Sequence, residues 1–393
     1  MTPRAVLAST CMLLLVGCGQ KIELPTSEGI PIDSDYFDVT PVALADEFES
    51  VSDIEAFGGV FAVSDFAQGR VVVLYSDGRV NPSRAPLTGL DRPVAMELEI
   101  ERNLLLIAQG EPGDYVIGAY TPTFEFELEA SLGDAVQSIS DIASDGEFLY
   151  VGDPEARTIH RFAMSPAPGF GPLVLQGTAV APDPEQYSEV SPQFVSRPGQ
   201  ITIDESGLMV VCDADSTRNW VLRYDPWPAG TEPESAGSSV IFGPSREELS
   251  LGVGAFGGDV KCGDIFSLAA STLGLAPGCS GNQNFELRPS GDEGNFHTPT
   301  GVALDGSGNI YVADRYNSRI QRFSPEGDFE AAFGPGLATG DAALREPVRL
   351  ATWDGRKNVS GERLLIEGAR VLVVDAASGL LRIYEDSRWT NLQ

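Results

Sequence analysis

One pattern recurs along this chain: a short apolar run that ends in Asp and is followed nine residues later by an aromatic side chain. The three clearest copies run from Asp153 to Phe162, from Asp314 to Phe323 and from Asp375 to Tyr384. Looser copies begin at Asp65 and Asp213 and close at Tyr75 and Tyr224, and another has Gln109 where Asp is expected. Repetition at this spacing predicts a fold assembled from copies of one small unit.

Each copy has the composition of short β-strands separated by tight turns. Runs such as "IYVAD", "VLVVD" and "FLYVGD" are rich in β-branched and aromatic residues, and no segment of comparable length shows sustained helical periodicity. Four copies are preceded by an X-Pro landmark: Arg92-Pro93, Arg197-Pro198, Thr298-Pro299 and Glu346-Pro347. The predicted copies are six: about 51–90, 92–133, 136–180, 197–243, 298–334 and 346–393.

A lone four-stranded sheet cannot bury both of its faces, so six in succession predict an all-β fold, a six-bladed β-propeller. The copy "TPTGVALDGSGNIYVADRYNSRIQRF", which begins at Thr298, resembles an NHL repeat, and the 197–243 and 346–393 copies are similar to it in degraded form. Two segments could supply the fourth strand of the last blade. They are "YFDVTPVAL" (Tyr36 to Leu44) and "SRWTNLQ" at the C-terminus, and the sequence leaves both open.

Asp314, Asn317 and Arg319 form a polar cluster of the kind that often marks a site. The resemblance to NHL repeats implies an Asp at the end of the second strand and an Asn-x-Arg pair in the next turn. Equivalents of Asp314 recur along the chain, at Asp65, Asp153, Asp213 and Asp375. A catalytic group is needed once, so we expect these carboxylates to accept backbone N–H bonds across turns. Asn317 tolerates the left-handed conformation found in such turns, and Arg319 is expected to lie along the strand edge and pair with a neighbouring carboxylate.

The N-terminus predicts an exported, lipid-anchored protein. After Arg4, "AVLASTCMLLLVG" provides thirteen residues, fewer than the roughly 20 that a membrane-spanning helix needs. The following "LVGC" resembles the lipobox of bacterial lipoproteins. This resemblance implies a signal peptide over residues 1–17 and a Cys18 that carries a diacylglycerol and a fatty acyl chain such as palmitate. An ordinary signal peptide with an incidental Cys is the alternative. Gly19 resembles lipoproteins sorted to the outer membrane, and residues 18–45 are expected to tether a propeller over residues 46–393.

An insertion is expected at about residues 244–296, between the fourth and fifth copies. It contains "DIFSLAASTLGL", the best candidate for a short helix, between Cys262 and Cys279. In an oxidising envelope these two cysteines are expected to form a disulfide. Closing that loop would stabilise the fold by about 3 kcal/mol. Two free thiols are the alternative, and Cys212, inside an apolar strand, is expected to be an inert core residue.

Charge and composition exclude several classes of function. The 26 basic and 57 acidic residues give a net charge of −31, which repels nucleic acid. His160 and His297 are the only histidines. They cannot supply the three-His zinc site of the peptidyl-hydroxyglycine lyases, which have a similar six-bladed fold. Calcium bound by carboxylates stays possible, although no set of residues stands out, and no other cofactor is expected.

The candidates for ligand binding lie at blade starts, where the loops of a propeller line one mouth of its channel: Arg92, Arg197, His297 and Arg345. Such a group could bind a small anionic ligand or the carboxylates of an envelope protein, unless each cation pairs with a local acid. The expected function is a monomeric binding or scaffold module of the cell envelope. The alternatives are a calcium-dependent or metal-independent hydrolase or lyase and a purely structural surface lipoprotein, because propellers host all three.

Overall fold

The computed structural model describes most of the repeat region in atomic detail. The described residues are 36–41, 44, 47–57, 59–178, 195–204, 207–215, 219–224, 255–256, 294, 296–325, 327–334, 344–353, 356–359, 362–365 and 370–386. Their regular structure is almost entirely β-strand, arranged in antiparallel sheets. No helix among these residues is long and apolar enough to cross a membrane.

Six four-stranded sheets form the blades of a propeller. The first strand of the chain, β1 (Tyr36–Asp38), belongs to blade 6. Blade 1 consists of β2 (Val51–Phe57), β3 (Val60–Asp65), β4 (Arg70–Tyr75) and β5 (Leu87–Thr88). Blade 2 consists of β6 (Ala95–Glu99), β7 (Leu104–Gln109), β8 (Val116–Tyr120) and β9 (Phe126–Ser131). Blade 3 consists of β10 (Asp141–Ser144), β11 (Phe148–Asp153), β12 (Thr158–Ala163) and β13 (Val174–Thr178).

The remaining blades complete a closed ring. Blade 4 consists of β14 (Pro198–Ile203), β15 (Met209–Asp213), β16 (Trp220–Tyr224) and β17 (Ala255–Phe256). Blade 5 consists of β18 (Pro299–Leu304), β19 (Ile310–Asp314), β20 (Arg319–Phe323) and β21 (Phe329–Phe333). Blade 6 consists of β22 (Pro347–Trp353), β25 (Arg370–Asp375), β26 (Leu380–Asp386) and β1, with a hairpin of β23 (Arg356–Val359) and β24 (Glu362–Leu365) inserted. The inner strands β2, β6, β10, β14, β18 and β22 contact one another in sequence around the ring, which confirms the predicted six-bladed propeller.

The N-terminal segment closes the ring. β1 pairs with β26 as the outermost strand of blade 6, with Tyr36 opposite Asp386. The ring of Tyr36 stacks on Phe333 with centroids 3.9 Å apart, and its hydroxyl lies 3.1 Å from that of Tyr311. The first of the two candidate segments therefore supplies the closing strand. The C-terminal candidate, residues 387–393, lies outside the described residues.

Two features of the ring differ from the sequence expectation. β17, the outer strand of blade 4, falls at residues 255–256, inside the segment expected to be an insertion. The hairpin β23–β24 lengthens the connection between the first two strands of blade 6. The predicted short helix, Cys262 and Cys279 all lie outside the described residues.

The core consists of six apolar clusters, each lying between two neighbouring blades. The strand β19 contributes side chains to two of these clusters. Ile310 and Val312 pack against blade 4 next to Val210, whereas Tyr311 and Ala313 pack against blade 6. A central strand is therefore buried on both faces, which explains why the sequence shows continuous apolar runs there rather than alternation.

Carboxylates at the end of each second strand hold the segment that leads into the same blade. In blade 4, Asp213 accepts the backbone N–H groups of Ser196 and Arg197, both at 2.9 Å. The same pair of bonds reaches Asp65 from Glu49 and Ser50, Asp153 from Gln137 and Ser138, and Asp375 from Arg345 and Glu346. In blade 2, Gln109 takes this place and accepts the N–H of Asp91 at 3.0 Å.

Asp314 binds three side chains of its own blade as well as a backbone N–H. Its Oδ1 accepts the backbone N–H of His297 at 2.7 Å. Its Oδ2 accepts three side chains: Asn317 at 2.8 Å, Arg319 at 2.8 Å and Gln321 at 3.0 Å. Arg319 is fully buried, so its charge is neutralised inside the blade rather than along an exposed edge.

The left-handed residue in this turn is Ser318. Arg315–Asn317 form a short 3-10 helix, and Ser318 follows it with φ of 55°. The side-chain amide of Asn317 donates to Asp314 Oδ2 at 2.8 Å.

Asp153 has a partner that Asp314 lacks, a histidine. His160 lies seven residues after Asp153, the same interval that separates Gln321 from Asp314, and its Nε2 is 3.3 Å from Asp153 Oδ2. Burial alone would raise the pKa of Asp153. The bonds from His160 and from the backbone N–H groups of Ala156 and Gln137 outweigh burial and lower this pKa to about 2.

Removing a strand-end carboxylate is expected to destabilise the fold. Asp375→Ala leaves three backbone donors, Arg345, Glu346 and Ala377, without their acceptor and should cost about 1–3 kcal/mol. Asp314→Ala also takes this carboxylate from the buried Arg319 and should cost about 3–5 kcal/mol. Urea unfolding of both variants measures the loss. The exposed Asp328→Ala in the same blade is the control and should stay within about 0.5 kcal/mol of wild type. An Asp314→Ala protein with unchanged stability would contradict the structural role.

Candidate functional site

One face of the ring carries the residues that precede each inner strand together with the turns between second and third strands; we call it the upper face. Hydrogen bonds join the turns of blades 4 and 5 to the starts of blades 5 and 6. Thr298 N donates to Asn219 Oδ1 at 2.7 Å, and Ser318 Oγ donates to the Arg345 carbonyl at 2.7 Å. Positions before the inner strands are therefore brought to a common surface, as loops on a rigid scaffold.

Arg92, Arg197, His297 and Arg345 all lie on this upper face, but their charges are not equally available. Arg92 forms ion pairs with Asp91, at 3.2 Å, and with Glu111. Its charge is therefore neutralised locally, as the alternative interpretation expected.

Arg197 and Arg345 are exposed, and neither side chain forms an ion pair with any described residue. Their backbones are fixed nevertheless. The N–H of Arg197 donates to Asp213 at 2.9 Å, and that of Arg345 donates to Asp375 at 3.0 Å. The two guanidinium groups are thus held on a rigid base with their hydrogen-bonding capacity directed to solvent.

His297 lies between them in the ring, at the start of blade 5. Its ring contacts Tyr316 edge-on with centroids 5.1 Å apart, and Tyr316 is 47% exposed. The guanidinium of Arg315 lies 4.9 Å from the centre of the same aromatic ring and binds Glu346 at 2.7 Å. We call Arg197, His297 and Arg345, with Tyr316, the cationic sector.

A second group of polar residues lies on the inner strands. An inner strand has a neighbouring strand on one side only, so its free edge needs other hydrogen-bond partners. Side chains of adjacent blades supply them: Asp53 accepts Met96 N at 2.7 Å, Glu97 accepts Ser144 N at 3.0 Å, and Asp141 accepts Ile201 N at 2.7 Å. These bonds link blades 1 to 2, 2 to 3 and 3 to 4.

Gln200 performs the same role for three blades at once. Its Oε1 accepts the N–H groups of Val302, at 3.2 Å, and Leu350, at 3.0 Å. Its Nε2 donates to the Leu350 carbonyl at 2.8 Å. Blades 4, 5 and 6 are therefore joined through one buried amide.

Arg349 reaches from blade 6 to blade 3. It donates to the carbonyl of Ser140, its Nε lies 3.8 Å from Asp53 Oδ1, and its Nη1 lies 3.7 Å from Asp141 Oδ1. This is the only ion pairing among the described residues between the inner-strand acids and a cation from another blade. It offsets the charge of two carboxylates with one guanidinium.

Two further acids of the inner strands belong to this group. Glu55 lies on β2, two residues after Asp53, and Glu97 lies on β6. Burial raises the pKa of Glu55 well above its usual range, and repulsion from Asp53 and Asp141 adds to this. Burial likewise raises the pKa of Glu97, and repulsion from Glu55 is the next cause. Each carboxyl therefore favours its protonated form at a higher pH than an isolated Glu does.

Sequence reasoning missed these inner-strand residues, although a signal was present. Gln200 and Arg349 each lie two residues after a landmark proline, Pro198 and Pro347. The signal is less regular than the strand-end Asp, because Ala95 and Gly301 stand two residues after Pro93 and Pro299.

The other candidates are simpler to place. Cys212 is buried as a free thiol, and burial raises its pKa well above the usual range. Cys18 lies outside the described residues. Within the described part of the chain, no group of three or more His, Cys, Asp or Glu side chains could hold a metal ion.

Comparison with known proteins agrees with the repeat assignment. The NHL repeat family model matches residues 296–323, which run from the start of blade 5 to the end of β20. The B-box type zinc finger protein ncl-1 of Caenorhabditis elegans is 48% identical over 119 residues. That match covers 28% of this chain and 11% of the length of ncl-1.

Solved structures share the architecture at low identity. A protein of unknown function from Bacteroides thetaiotaomicron matches with a TM-score of 0.51 and 13% identity, over 86% of this chain and 70% of that one. A calcium-binding regucalcin from Agrobacterium tumefaciens has a TM-score of 0.44 at 12% identity, over 86% and 92% of the two chains. A gluconolactonase from Xanthomonas campestris has a TM-score of 0.47 at 11% identity, over 92% and 98%. At 13% identity, the likeness to the Bacteroides thetaiotaomicron protein shows the fold alone.

The protein is thus a six-bladed β-propeller. The NHL repeat that the family model recognises lies in blade 5.

The inner-strand acids are expected to make stability depend on pH. A raised folded-state pKa means that the native protein holds a proton that the unfolded chain releases. Stability should therefore fall as pH rises above the ordinary glutamate value of about 4.3. Glu55→Gln/Glu97→Gln should remove this loss and be more stable than wild type at pH 8 by about 1–3 kcal/mol, with a smaller difference at pH 4. Urea unfolding across this range measures it. The exposed Glu125→Gln is the control, and an equal pH slope in wild type and double variant would contradict the expectation.

Proposed function

We propose that this protein is a binding module of the cell envelope that captures an anionic group of a ligand or partner protein at its cationic sector. The observation that carries the proposal is the pair Arg197 and Arg345. Both are exposed, both are unpaired among the described residues, and both are fixed by bonds from the backbone to strand-end carboxylates.

The proposal is supported by the shape of the guanidinium group, by the fixed backbones of Arg197 and Arg345, and by the different pairing of Arg92. A guanidinium offers several N–H donors in a planar fork that suits carboxylate and phosphate groups. Preorganised donors lose little conformational freedom on binding, which favours affinity. Arg92 occupies the equivalent position in blade 2 but is already paired with two acids. The upper face therefore has one sector with free cations and another in which the cation is satisfied.

The surrounding charge should make binding selective. The whole chain carries a net charge of −31, so an anionic partner is repelled at long range. At physiological ionic strength this repulsion is screened beyond about 8 Å, whereas direct contacts with Arg197 and Arg345 persist. A partner that presents a concentrated anionic group at close range is favoured over a diffusely acidic one.

The N-terminus completes the proposal by giving the module a location. The "LVGC" motif at residues 15–18 supports lipid attachment at Cys18, and Gly19 supports sorting to the outer membrane. Residues 19–35 then separate the anchor from β1. A lipid anchor would confine the cationic sector near the membrane surface, which raises its effective concentration for envelope partners.

Reversing the two free cations should abolish capture. Arg197→Glu/Arg345→Glu should reduce recovery of cross-linked partners from envelope extract by about tenfold or more, because two attractive contacts become repulsive. Quantitative mass spectrometry of the captured material measures this. Arg92→Glu is the matched control, since that side chain is already paired, and it should keep most of the recovery.

Two results would count against the proposal. One is equal recovery by wild type and the Arg197/Arg345 variant. The other is turnover of a lactone or ester by wild type, with or without calcium, that Glu55→Gln/Glu97→Gln abolishes. The latter would favour the alternative function, a hydrolase or lyase that uses the acids of the inner strands.

Anchoring is testable separately. Cys18→Ser removes the only sulfur to which the diacylglycerol could be attached at the lipobox. The protein should then leave the membrane fraction, or accumulate as an uncleaved precursor. Fractionation and intact-mass measurement of the two forms check this. A Cys18→Ser protein that still fractionates as a mature membrane protein would contradict lipid attachment.

A further inference from the structure

The outer strand of blade 2, β9 (Phe126–Ser131), is exposed to an unusual degree. Phe126, Glu127, Leu128 and Glu129 are all exposed, and only Ala130 is buried. β9 pairs with β8 on one side, and no described strand pairs with its other edge. A free edge presents backbone N–H and C=O groups to which another strand can hydrogen-bond.

Among the described residues, β9 is also the longest outer strand of the six blades. β5 and β17 have two residues each, and β1 has three. β21 is largely buried, since its last three residues pack inside the ring. β13 is the nearest in exposure, with Val174 at 51% and Leu175 at 43%.

Both faces of β9 carry exposed apolar side chains. Leu128 lies opposite Ala119, which belongs to the cluster between blades 2 and 3. Leu175 lies opposite Phe162 of the same cluster, so Leu128 and Leu175 border the same groove at the rim. The backbone of Gly171 lies on the floor of this groove, where a Cβ would come within 3.1 Å of Leu128 Cδ2.

The opposite face is marked by Phe126. It lies opposite Tyr120 across the strand pair and contacts that ring edge-on at 5.6 Å. It is 59% exposed. A strand added to β9 could therefore bury apolar side chains on both faces, against Leu128 on one and Phe126 on the other.

The charge of the exposed side chains on and beside β9 determines what kind of segment can pair with its free edge. Glu125, Glu127 and Glu129 are exposed, and none of them forms an ion pair with a described residue. A register shift places a β-bulge at Glu127, which leaves residues 128–131 as the regular part of the edge. Acidic side chains and a bulge protect an edge from pairing with another copy of itself, because like charges would face each other.

We infer that the free edge of β9 binds an extended, basic segment of another protein, in which Lys or Arg alternates with apolar residues. The segment adds as a fifth strand to blade 2. Its cations face Glu127 and Glu129, and its apolar residues cover Leu128 and the rim groove. This site lies on the circumference of the ring and is separate from the cationic sector, which lies on the upper face and has the opposite charge.

The test uses a designed peptide and the whole protein. The peptide acetyl-Lys-Val-Lys-Val-Lys-Val-Lys-amide should bind saturably in a calorimetric or NMR titration, and amide hydrogen exchange should slow at residues 128–131. The Glu analogue of the peptide should bind at least about tenfold more weakly. A peptide with Pro in place of the central Val should also bind more weakly, because Pro cannot donate to a strand ladder.

Glu127→Lys/Glu129→Lys should weaken binding of the lysine peptide about tenfold or more and improve binding of the Glu analogue. Glu49→Lys/Glu155→Lys changes net charge equally at exposed positions of the upper face, and it should alter affinity by no more than about twofold. Thermal melts establish that both variants are folded. If the β9 variant unfolds, exchange mapping and the three peptides on wild type still decide.

The inference is overturned if no saturable binding occurs, if protection from exchange appears outside β9, or if the two double variants bind the lysine peptide equally. Wild-type protein that dimerises with protection at residues 128–131 in the absence of peptide would also overturn it. That result would mean that the acidic residues do not prevent pairing with a second copy.

Discussion

Every blade must bury both faces of a sheet only four strands wide, and the closed ring meets this requirement six times over. Val312 is shielded by blade 4 and Tyr311 by blade 6, although the two residues are adjacent in the chain. Burying a large apolar side chain contributes about 1.5–3 kcal/mol, so most of the stability lies between blades rather than within them. No blade has a core of its own. Closure by β1 matters for the same reason, because an open ring would expose the faces on either side of the gap.

Once the ring exists, its polar groups have to be satisfied within it. Inner strands lack a neighbour on one side, and Asp53, Asp141 and Gln200 supply acceptors for N–H groups of adjacent blades. Strand-end carboxylates such as Asp213 do the same for the segments leading into each blade. Each of these side chains is committed to a backbone donor, and so is Glu97. The pKa values of Glu55 and Glu97 are raised by burial together with repulsion within an acidic group that one guanidinium, Arg349, does not balance.

The same architecture separates stability from recognition. A residue that precedes an inner strand is fixed through its backbone, so its side chain can vary without disturbing the blade. Just before the inner strand, blade 2 has Arg92, which is neutralised by acids. Blade 4 has Arg197 at the same position and blade 6 has Arg345 one residue earlier, and neither forms an ion pair with a described residue. On the circumference, variation in the outer strand leaves β9 exposed where β21 is buried. Both proposed binding surfaces therefore lie at positions where the side chains or the outer strand differ from blade to blade without disturbing the fold.

The sequence by itself determined what depends on short-range spacing. The interval between Asp314 and Phe323 encodes a turn between two paired strands, and the recurrence of that interval was enough to predict a propeller. Within the turn, the residue in the left-handed conformation is Ser318, although Asn tolerates that conformation better than most residues. Only the tertiary structure decided which strand closes the ring and which acids meet Arg349 across it. Those outcomes depend on contacts between residues more than a hundred positions apart, as in Arg349 with Ser140. Such pairs are set by how six blades close on one another, and no spacing within one repeat encodes that.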